Sequence, residues 1–297
     1  MIINSGNLAI LFRAFKASFQ RAFDAAPSQW ARIATRVPST TSVNDYGWLG
    51  QIPGMREWIG DRFINNLSQH DYSIRNRSFE NTVGVDRDKI DDDQYGIYAP
   101  MFEMLGQTAR EHPDILVFGL LAAGGTTLCY DGQPFFSLTH PVINAAGAVA
   151  NVANMIAGAN TAWYLLDTRR PLKPLIFQDR KAANFVSLQD EKDENVFFRK
   201  EYIYGVDMRC NVGFGFWQMA LRSQAALDAP GFAAAKLALS SMTKDYGQPL
   251  GVQPNLLVCG PSNEAAAKAV LNAEYLIGGG SNINYKAVDL LVVPWLP

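Results

Sequence analysis

"EYIYGVDMRCNVGFGF", residues 201–216, sets Tyr202, Tyr204, Val206, Met208, Cys210, Val212, Phe214 and Phe216 at every second position. Successive side chains of an extended chain point to opposite faces, so this spacing puts all of them on one face of a long strand. It is the clearest β signal in the chain, and Cys210 reads as a core side chain. Upstream, "AWYLLD" (162–167), "PLIFQ" (174–178) and "FVSLQ" (185–189) are also strand-like. Downstream, Asp228 and Pro230 open a helix carrying Phe232, Ala235, Leu239 and Met242, closed by Gly247. "NLLVCG" (255–260) then reads as a buried strand, "PSNEAAAKAVLNAEYL" (261–276) as a helix and "DLLVVPWL" (289–296) as a last strand. Helices and strands mix without an internal repeat, the pattern of an α+β chain.

Toward the N-terminus the period changes. Leu8, Leu11, Phe12, Phe15, Phe19 and Phe23 recur at helical spacing, with Arg13, Lys16, Gln20 and Asp24 opposite, so an amphipathic helix is expected there. "VPSTTSVNDYGWLGQIPG" (37–54) cannot continue it. Tyr72 and Ile74 alternate with polar residues, and Phe79, Val83 and Val85 do so on a shifted phase, with "SQHD" (68–71) as a hairpin tip. Asn65, Asn66, Arg75, Asn76 and Arg77 leave these strands little apolar surface, so the hairpin is expected to lean on a neighbour. Asp91, Asp92 and Asp93 read as the N-terminal cap of a long helix with Met101, Leu105, Thr108, Ile115 and Leu116 on its stripe, kinked by Pro100 or Pro113 and ending near "AAGG" (122–125). Residues 144–160, rich in Ala, Gly and Asn, read as an excursion over a surface.

Composition closes off several classes of function. The chain has 297 residues, 48% of them hydrophobic, enough for real cores, while charged residues reach only 18%. With 26 basic and 28 acidic side chains the net charge is −2, which argues against a protein that grips nucleic acid by counterion release. Arg169, Arg170 and Lys173 are a local cluster around Pro171 and Pro174, read as a solvated turn. Cys129, Cys210 and Cys259 are odd in number and far apart, which disfavours disulfides and zinc. The sequence shows neither a secretory signal pattern nor an apolar run of the ~18 residues a membrane span needs, and a reducing cytoplasm is the expected place of synthesis.

Candidate chemistry thins out on inspection. "EYLIGGGSNINYKAV" (274–288) holds three glycines, a serine and a lysine, but a phosphate-binding loop needs Lys directly after its last Gly, and Lys286 comes too late. "DRDKIDDDQYG" (86–96) puts Ile90 where a calcium loop needs an oxygen ligand and Asp91 where it needs Gly. His140, beside Ser137 and Thr139 and eleven residues after Cys129, is the best base for a nucleophile. A hydrolase using His140 with Ser137 or Cys129 is the rival reading; neighbours on a strand face opposite ways, and a hydrogen-bonded structural histidine before Pro141 is expected instead. No catalytic, cofactor-binding or metal-binding residues are assigned.

Several stretches together resemble one family. "APSQW" (26–30), "DYGWLGQIPGMREWIGDR" (45–62), "DGQPFFSLTHPV" (131–142), "WYLLDTRRPLKPLIFQDRK" (163–181) and "RKEYIYGVDMRCNVGFGFWQMA" (199–220) are similar in order and spacing to the Mu-like bacteriophage major head subunits (gpT). The C-terminal "LLVCGPSNEAAAKAVLNAEYLIGGGSNINYKAVDLLVVPWL" resembles tailed-phage capsid proteins more widely. The resemblance implies the tailed-phage major capsid fold, with an N-terminal arm (1–48), an extended loop (49–83), a peripheral domain with a spine helix (84–129, completed by 285–297) and an axial domain (130–284). It implies a non-enzymatic homo-oligomer of hexamers and pentamers that self-assembles into an icosahedral shell around double-stranded DNA. The glycine turn would then be a mobile axial-domain loop. Expected partners are separate scaffold and maturation protease chains, a portal and a decoration protein, with no cofactor and no membrane; the place is the virion capsid, assembled in the bacterial host cytoplasm. The arm helix starts within ten residues of Met1, which points to scaffolding from another chain. Intersubunit contacts are expected at Phe12, Phe15, Phe19, Trp58, His70 and Tyr72. A smaller phage ring or decoration protein is a third reading.

Overall fold

A computed structural model describes residues 5–49, 72–92, 97–190, 192–276 and 279–297. The chain opens with α1 (Ser5–Ala25), then β1 (Ala34–Pro38), β2 (Val43–Asp45), β3 (Ser73–Arg75), β4 (Arg77–Asp86), α2 (Arg87–Asp91) and α3 (Ala99–Ala123). Short strands β5 (His140–Ile143), β6 (Val149–Val152), β7 (Met155–Ile156) and β8 (Trp163–Leu166) follow, then β9 (Leu175–Leu188), α4 (Glu194–Arg199) and β10 (Glu201–Phe214). The last part runs β11 (Ala220–Ser223), α5 (Ala229–Ser240), β12 (Leu256–Cys259), α6 (Glu264–Leu271) and β13 (Asp289–Val292).

Two sheets carry the α+β fold. A four-stranded sheet has the order β1-β9-β10-β4 and a five-stranded one the order β13-β12-β8-β11-β7. In the first, β10 pairs antiparallel with both β9 and β4, from Glu201 opposite Asp86 to Cys210 opposite Arg77 on the β4 side. The alternation read from residues 202–216 therefore marks a central strand. Its register against β9 shifts around Arg209, and there the strand passes from one core to another. Tyr202, Tyr204 and Val206 pack with α1 and α3, whereas Cys210 and Phe214 join the larger core shared by both sheets.

α3 buries Phe102, Leu105, Gly106, Ala109, Pro113, Val117, Phe118 and Leu121, a stripe at three- and four-residue spacing, and ends at Gly124. Pro100 sits in its first turn, where a missing N–H costs nothing. Of the acidic run expected to cap it, Asp91 and Asp92 lie at the end of the short α2, and Asp93 is outside the described residues. Asp86 instead caps the short α2, accepting from the Asp88 N–H at 2.8 Å, and α3 begins at Ala99.

α1 lies on α3. Its stripe, Leu8, Leu11, Phe15 and Phe19, is buried with Phe102, Phe185 and Tyr204 in a cluster of its own. The Phe15 and Phe102 rings stack at 4.1 Å, and Phe19 stacks on Phe185 at 5.1 Å. The arm was expected to keep this surface for neighbouring copies; the long outer halves of β9 and β10 need a cover, and α1 with α3 supplies it within the chain. The expected segmentation changes for a similar reason. β9 and β10, assigned to 130–284, pair with β1 and β4 beside α3, and the returning β13 joins β12 in the other sheet. Residues 77–83, assigned to the extended loop, lie in β4 and are supported by β10. The excursion at 144–160 contains strands β6 and β7, α5 ends at Ser240 before Gly247, and the expected 261–276 helix shortens to α6.

α1 and α3 touch closely enough to be tested. A β-carbon at Gly106 would stand 2.3 Å from the Phe19 carbonyl oxygen, whereas one at Gly119, on the same helix, meets nothing within 4 Å. Gly106→Val is expected to destabilise the subunit by about 1–3 kcal/mol by forcing the helices apart. Gly119→Ala is expected to stabilise it by up to ~1 kcal/mol through helix propensity. Thermal unfolding of the two variants checks the pair, and equal melting temperatures would contradict the contact.

Candidate functional site

Two kinds of candidate can be placed: the histidine cluster and the elements expected to meet neighbours. His140 is completely buried at the start of β5, its ring stacked on Trp217 at 3.9 Å between centroids. Nδ1 lies 2.6 Å from Asp131 Oδ2. Nε2 faces Phe135 O at 3.3 Å and Asn154 Oδ1 at 3.2 Å. The Asn154 amide cannot be turned round, because its Oδ1 accepts from the Ser137 N–H at 2.9 Å and its Nδ2 donates to Phe135 O at 2.8 Å. Nε2 therefore faces acceptors only and must donate to them. Nδ1 is occupied by the Asp131 carboxylate, so both ring nitrogens are engaged and neither faces a nucleophile.

Cys129 completes the cluster from the other side of Asp131, its thiol donating to Oδ1 at 3.1 Å. The carboxylate stands between sulfur and imidazole, the reverse of the order in which a base activates a nucleophile. Burial, then the neighbouring Asp131 charge, push the Cys129 thiol far up, so the reactive thiolate is suppressed. Burial also pushes the Asp131 carboxyl up, but hydrogen bonds from His140, Cys129 and the Gln133 N–H outweigh it and leave it below the usual carboxylate range. Ser137 Oγ pairs with Thr139 Oγ1 at 3.2 Å. Metal-ligand atoms of Cys129, Asp131 and His140 all lie within 4.8 Å of one another. Two ligands held at zinc distances on a tetrahedron would be about 3.3 Å apart, and the 2.6 Å between Nδ1 and Oδ2 fits a shared proton instead. The hydrolase reading thus fails on geometry, and the cluster fastens the 128–137 loop to β5, Asn154 and Trp217.

Of the residues expected at subunit contacts, Phe15 and Phe19 are buried within the chain and cannot serve a neighbour in this conformation. Phe12 is half-buried, stacked on Phe185 at 5.6 Å. Tyr72 is half-buried and turned inward, its hydroxyl accepting from the Phe214 N–H at 2.6 Å. Trp58, His70 and the expected hairpin tip lie outside the described residues.

The residues that position these elements were missed in the sequence. Gln178, fully buried on β9, donates to Ile74 O at 3.0 Å and Asn76 Oδ1 at 2.8 Å and accepts from the Tyr46 hydroxyl at 2.8 Å. Asn76 Nδ2 donates in turn to Ser39 Oγ and Thr41 O, both at 2.8 Å. This network fixes the β2–β3 ribbon onto the four-stranded sheet. Asp114, buried in mid-α3, accepts from the N–H groups of Gln29 and Trp30 at 2.8 and 2.6 Å and fixes the exit from α1. The signal was a polar residue at the end or middle of an apolar run, as in "PLIFQ" and "HPDILVF".

The glycine turn is held by hydrogen bonds on both sides. Leu276 N–H donates to Gly280 O at 2.7 Å, and Asn282 Nδ2 donates to Val270 O and Ala273 O at 2.8 and 2.7 Å. The Lys286 ammonium lies over the Tyr285 ring at 4.9 Å.

Among the described residues the buried polar cluster has no catalytic order, and it sits in an α+β fold of two sheets, a long helix and outlying ribbons. The family model described as Mu-like prophage major head subunit gpT matches residues 8–296. The Mu-like prophage FluMu major head subunit of Haemophilus influenzae is 42% identical over 292 residues, 95% of each chain. The major capsid protein of Escherichia phage Mu is 38% identical over 290 residues, 96% of this chain and 95% of that one. Among solved structures, the chain in the procapsid of bacteriophage JBD30 superposes with a TM-score of 0.88 at 45% identity, covering 99% of this chain and all of that one. The chain belongs to the Mu-like prophage major head subunit family, and its role is that of a non-catalytic phage capsid protein.

The Asp131 cluster gives a pH signature. Its folded pKa lies below the ordinary 3.8, so its stabilisation is complete above that value and is lost as pH falls through the lower, folded one. Asp131→Asn is expected to cost about 3–5 kcal/mol near neutrality, the loss typical of a broken buried pair. The difference from the parent should shrink below about pH 4. Urea unfolding at neutral pH and at pH ~3 checks this, and a variant deficit equal at both would contradict the assignment.

Proposed function

We propose that this chain builds an icosahedral phage head, assembling through hexamers and pentamers into a shell that encloses double-stranded DNA. The observation that carries the reading is the end-to-end match to a procapsid chain, with both sheets, α1 and α3 inside the aligned span. In this reading the five-stranded sheet lies toward the symmetry axes and the four-stranded sheet with α3 lies at the capsomer periphery. Residues 50–71, with Trp58 and His70, reach neighbouring copies, and the exposed edge of Phe12 contributes beside them. Scaffold, maturation protease, portal and decoration proteins are separate chains, and assembly takes place in the host cytoplasm. A net charge of −2 suits a wall that must let DNA move past it.

Expression with the cognate head genes, followed by light scattering and negative-stain microscopy, tests the reading. Closed particles in the megadalton range are expected, with small capsomer-sized precursors when scaffold is withheld; a stable small oligomer under both conditions would overturn it. Trp58→Ala is expected to lower particle yield while leaving the melting temperature of the unassembled subunit unchanged. Parent-like particle yield would remove Trp58 from the interface.

A further inference from the structure

Three segments meet at one end of the five-stranded sheet: the turn that leaves β8 (167–173), the approach to β12 (253–255) and the approach to β13 (286–289). Register brings them together, since Leu256 lies opposite both Leu166 and Asp289. Asn255 Oδ1 accepts from the Thr168 N–H at 2.8 Å and ties the first two segments to each other. Between the three opens a pocket of about 290 Å³, with Arg169, Gln253, Asn255, Lys286 and Asp289 on its wall.

Arg169 is built into that wall. Asp167 is completely buried, and its carboxylate takes the guanidinium as a fork, Nε donating to Oδ1 at 3.0 Å and Nη2 to Oδ2 at 2.9 Å. Nη1 donates to Gln253 Oε1 at 2.6 Å, and the Gln253 N–H donates back to Asp167 Oδ2 at 3.0 Å. Burial pushes the Asp167 carboxyl up, but the hydrogen bonds from Arg169 and Gln253 outweigh it and hold it below the usual carboxylate range. A guanidinium carries five N–H donors, of which these contacts take three. The remaining two sit on Nη1 and Nη2 of a side chain that stays 44% exposed. Orientation of this group is therefore settled before any ligand arrives.

Positive charge gathers here beyond what the carboxylates balance. Lys286 leaves a left-handed backbone, φ +53°, whose N–H is tied to Leu271 O at 2.8 Å; its ammonium has no ion-pair partner among the described residues. Asp289, on the rim, is drawn to Arg32 at 3.6 Å. Beyond Arg32 stands Lys173, whose ammonium donates to Ala31 O; burial, then the Arg32 charge, pull its pKa down. Arg170 follows Arg169 and donates to Leu250 O. Arg32, Arg169, Arg170, Lys173 and Lys286 thus stand with only Asp167 and Asp289, in a chain whose net charge is −2. Cations held this close repel one another, and an anion among them removes the repulsion. Free N–H groups on two guanidinium nitrogens, with a separate ammonium beside them, suit an oxyanion that offers several oxygens in different directions.

We propose that this pocket is a phosphate-binding site, holding inorganic phosphate or a phosphodiester of a nucleic-acid backbone between Arg169 and Lys286. The site belongs to the single subunit and stands apart from the shell reading. One phosphate per copy is a weak hold, compatible with the overall charge.

The test titrates the full chain, before assembly, with inorganic phosphate by calorimetry and with a short fluorescent DNA duplex by anisotropy, chloride keeping the ionic strength constant. Saturable phosphate binding is expected. Lys286→Asn, whose new side chain tolerates the left-handed backbone, should weaken it about ten-fold, the scale of one lost charged hydrogen bond, with the melting temperature close to the parent's. Arg169→Lys keeps a cation on Asp167 but loses the extra donors and should weaken it similarly; Lys286→Asn decides alone should that variant unfold. Duplex binding that phosphate competes away, with a salt slope lower by about one in Lys286→Asn, supports the site and names the phosphodiester as its ligand. Phosphate binding without duplex binding supports the site and names the free anion. Absence of both overturns the proposal, and so does phosphate or duplex binding that Lys286→Asn leaves at parental strength, because the anion then sits elsewhere.

Discussion

The approach of α1 to α3 at Gly106 governs the outer half of the subunit. With no side chain at that position, the Phe19 carbonyl comes so near that any β-carbon would collide with it. That proximity lets Phe15 reach Phe102 and lets Phe19 reach Phe185, closing an aromatic cluster over Tyr204. Without the cluster, the outer parts of β9 and β10 would expose Phe185, Tyr202, Tyr204 and Val206 to water. Burying rings of this size contributes about 1.5–3 kcal/mol each, so a helix at the chain's beginning holds down strands nearly two hundred residues later.

Apolar packing alone would not fix where the outlying pieces point. That is done by buried polar side chains with several partners each: Gln178 and Asn76 at the root of the β2–β3 ribbon, Asp114 at the exit of α1, Asp131 with His140 under the 128–137 loop. An apolar contact tolerates small rotations, whereas a buried amide or carboxylate that loses a partner is left unsatisfied at a cost of about 1–3 kcal/mol. Directional anchors of this kind suit a protein that must repeat one geometry in every copy. They also explain why the His140 cluster imitates an active site: burial, short hydrogen bonds and a shifted carboxyl serve rigidity here.

Local period made the elements legible, and sequence distance hid their partners. The alternation from Tyr202 to Phe214 gave a central strand and the stripe at Leu8–Phe19 a helix, because one face of each must be apolar wherever its partner lies. The long helix was legible too, but its face was misphased: of Met101, Leu105, Thr108, Ile115 and Leu116, Thr108 and Ile115 are exposed, and the buried face runs through Phe102, Leu105, Ala109, Val117 and Leu121. Which faces meet is a property of register across long intervals: Leu175 opposite Phe214, Ala34 opposite Leu175, Leu256 opposite Asp289. No local pattern encodes that, so the pairing of β9 with β1, of β10 with β4 and of β13 with β12 was not legible. The arm's partner was not legible, because an amphipathic stripe states that a helix needs a partner and leaves open whether the partner belongs to the same chain. The family resemblance carried the function, since its blocks span sites that hold no chemistry.

A subunit whose arm stripe is already covered by its own chain leaves that stripe out of the association, and this shapes how a shell of such subunits can hold together. Among the described residues the exposed large apolar side chains are scattered singly or in pairs, such as Met104 on α3, Leu237 on α5, Phe197 and Phe198 on α4 and Ile283 beyond the glycine turn. Contacts of that size are individually weak, but in a closed lattice each copy makes several at once, and every contact after the first is formed at the high effective concentration set by the others. Weak and numerous contacts allow a misplaced subunit to leave before closure, while strong ones would trap it. The rigid polar anchors are then as necessary as the apolar tips, because simultaneous weak contacts add only when the backbone already holds them at the spacing the lattice requires.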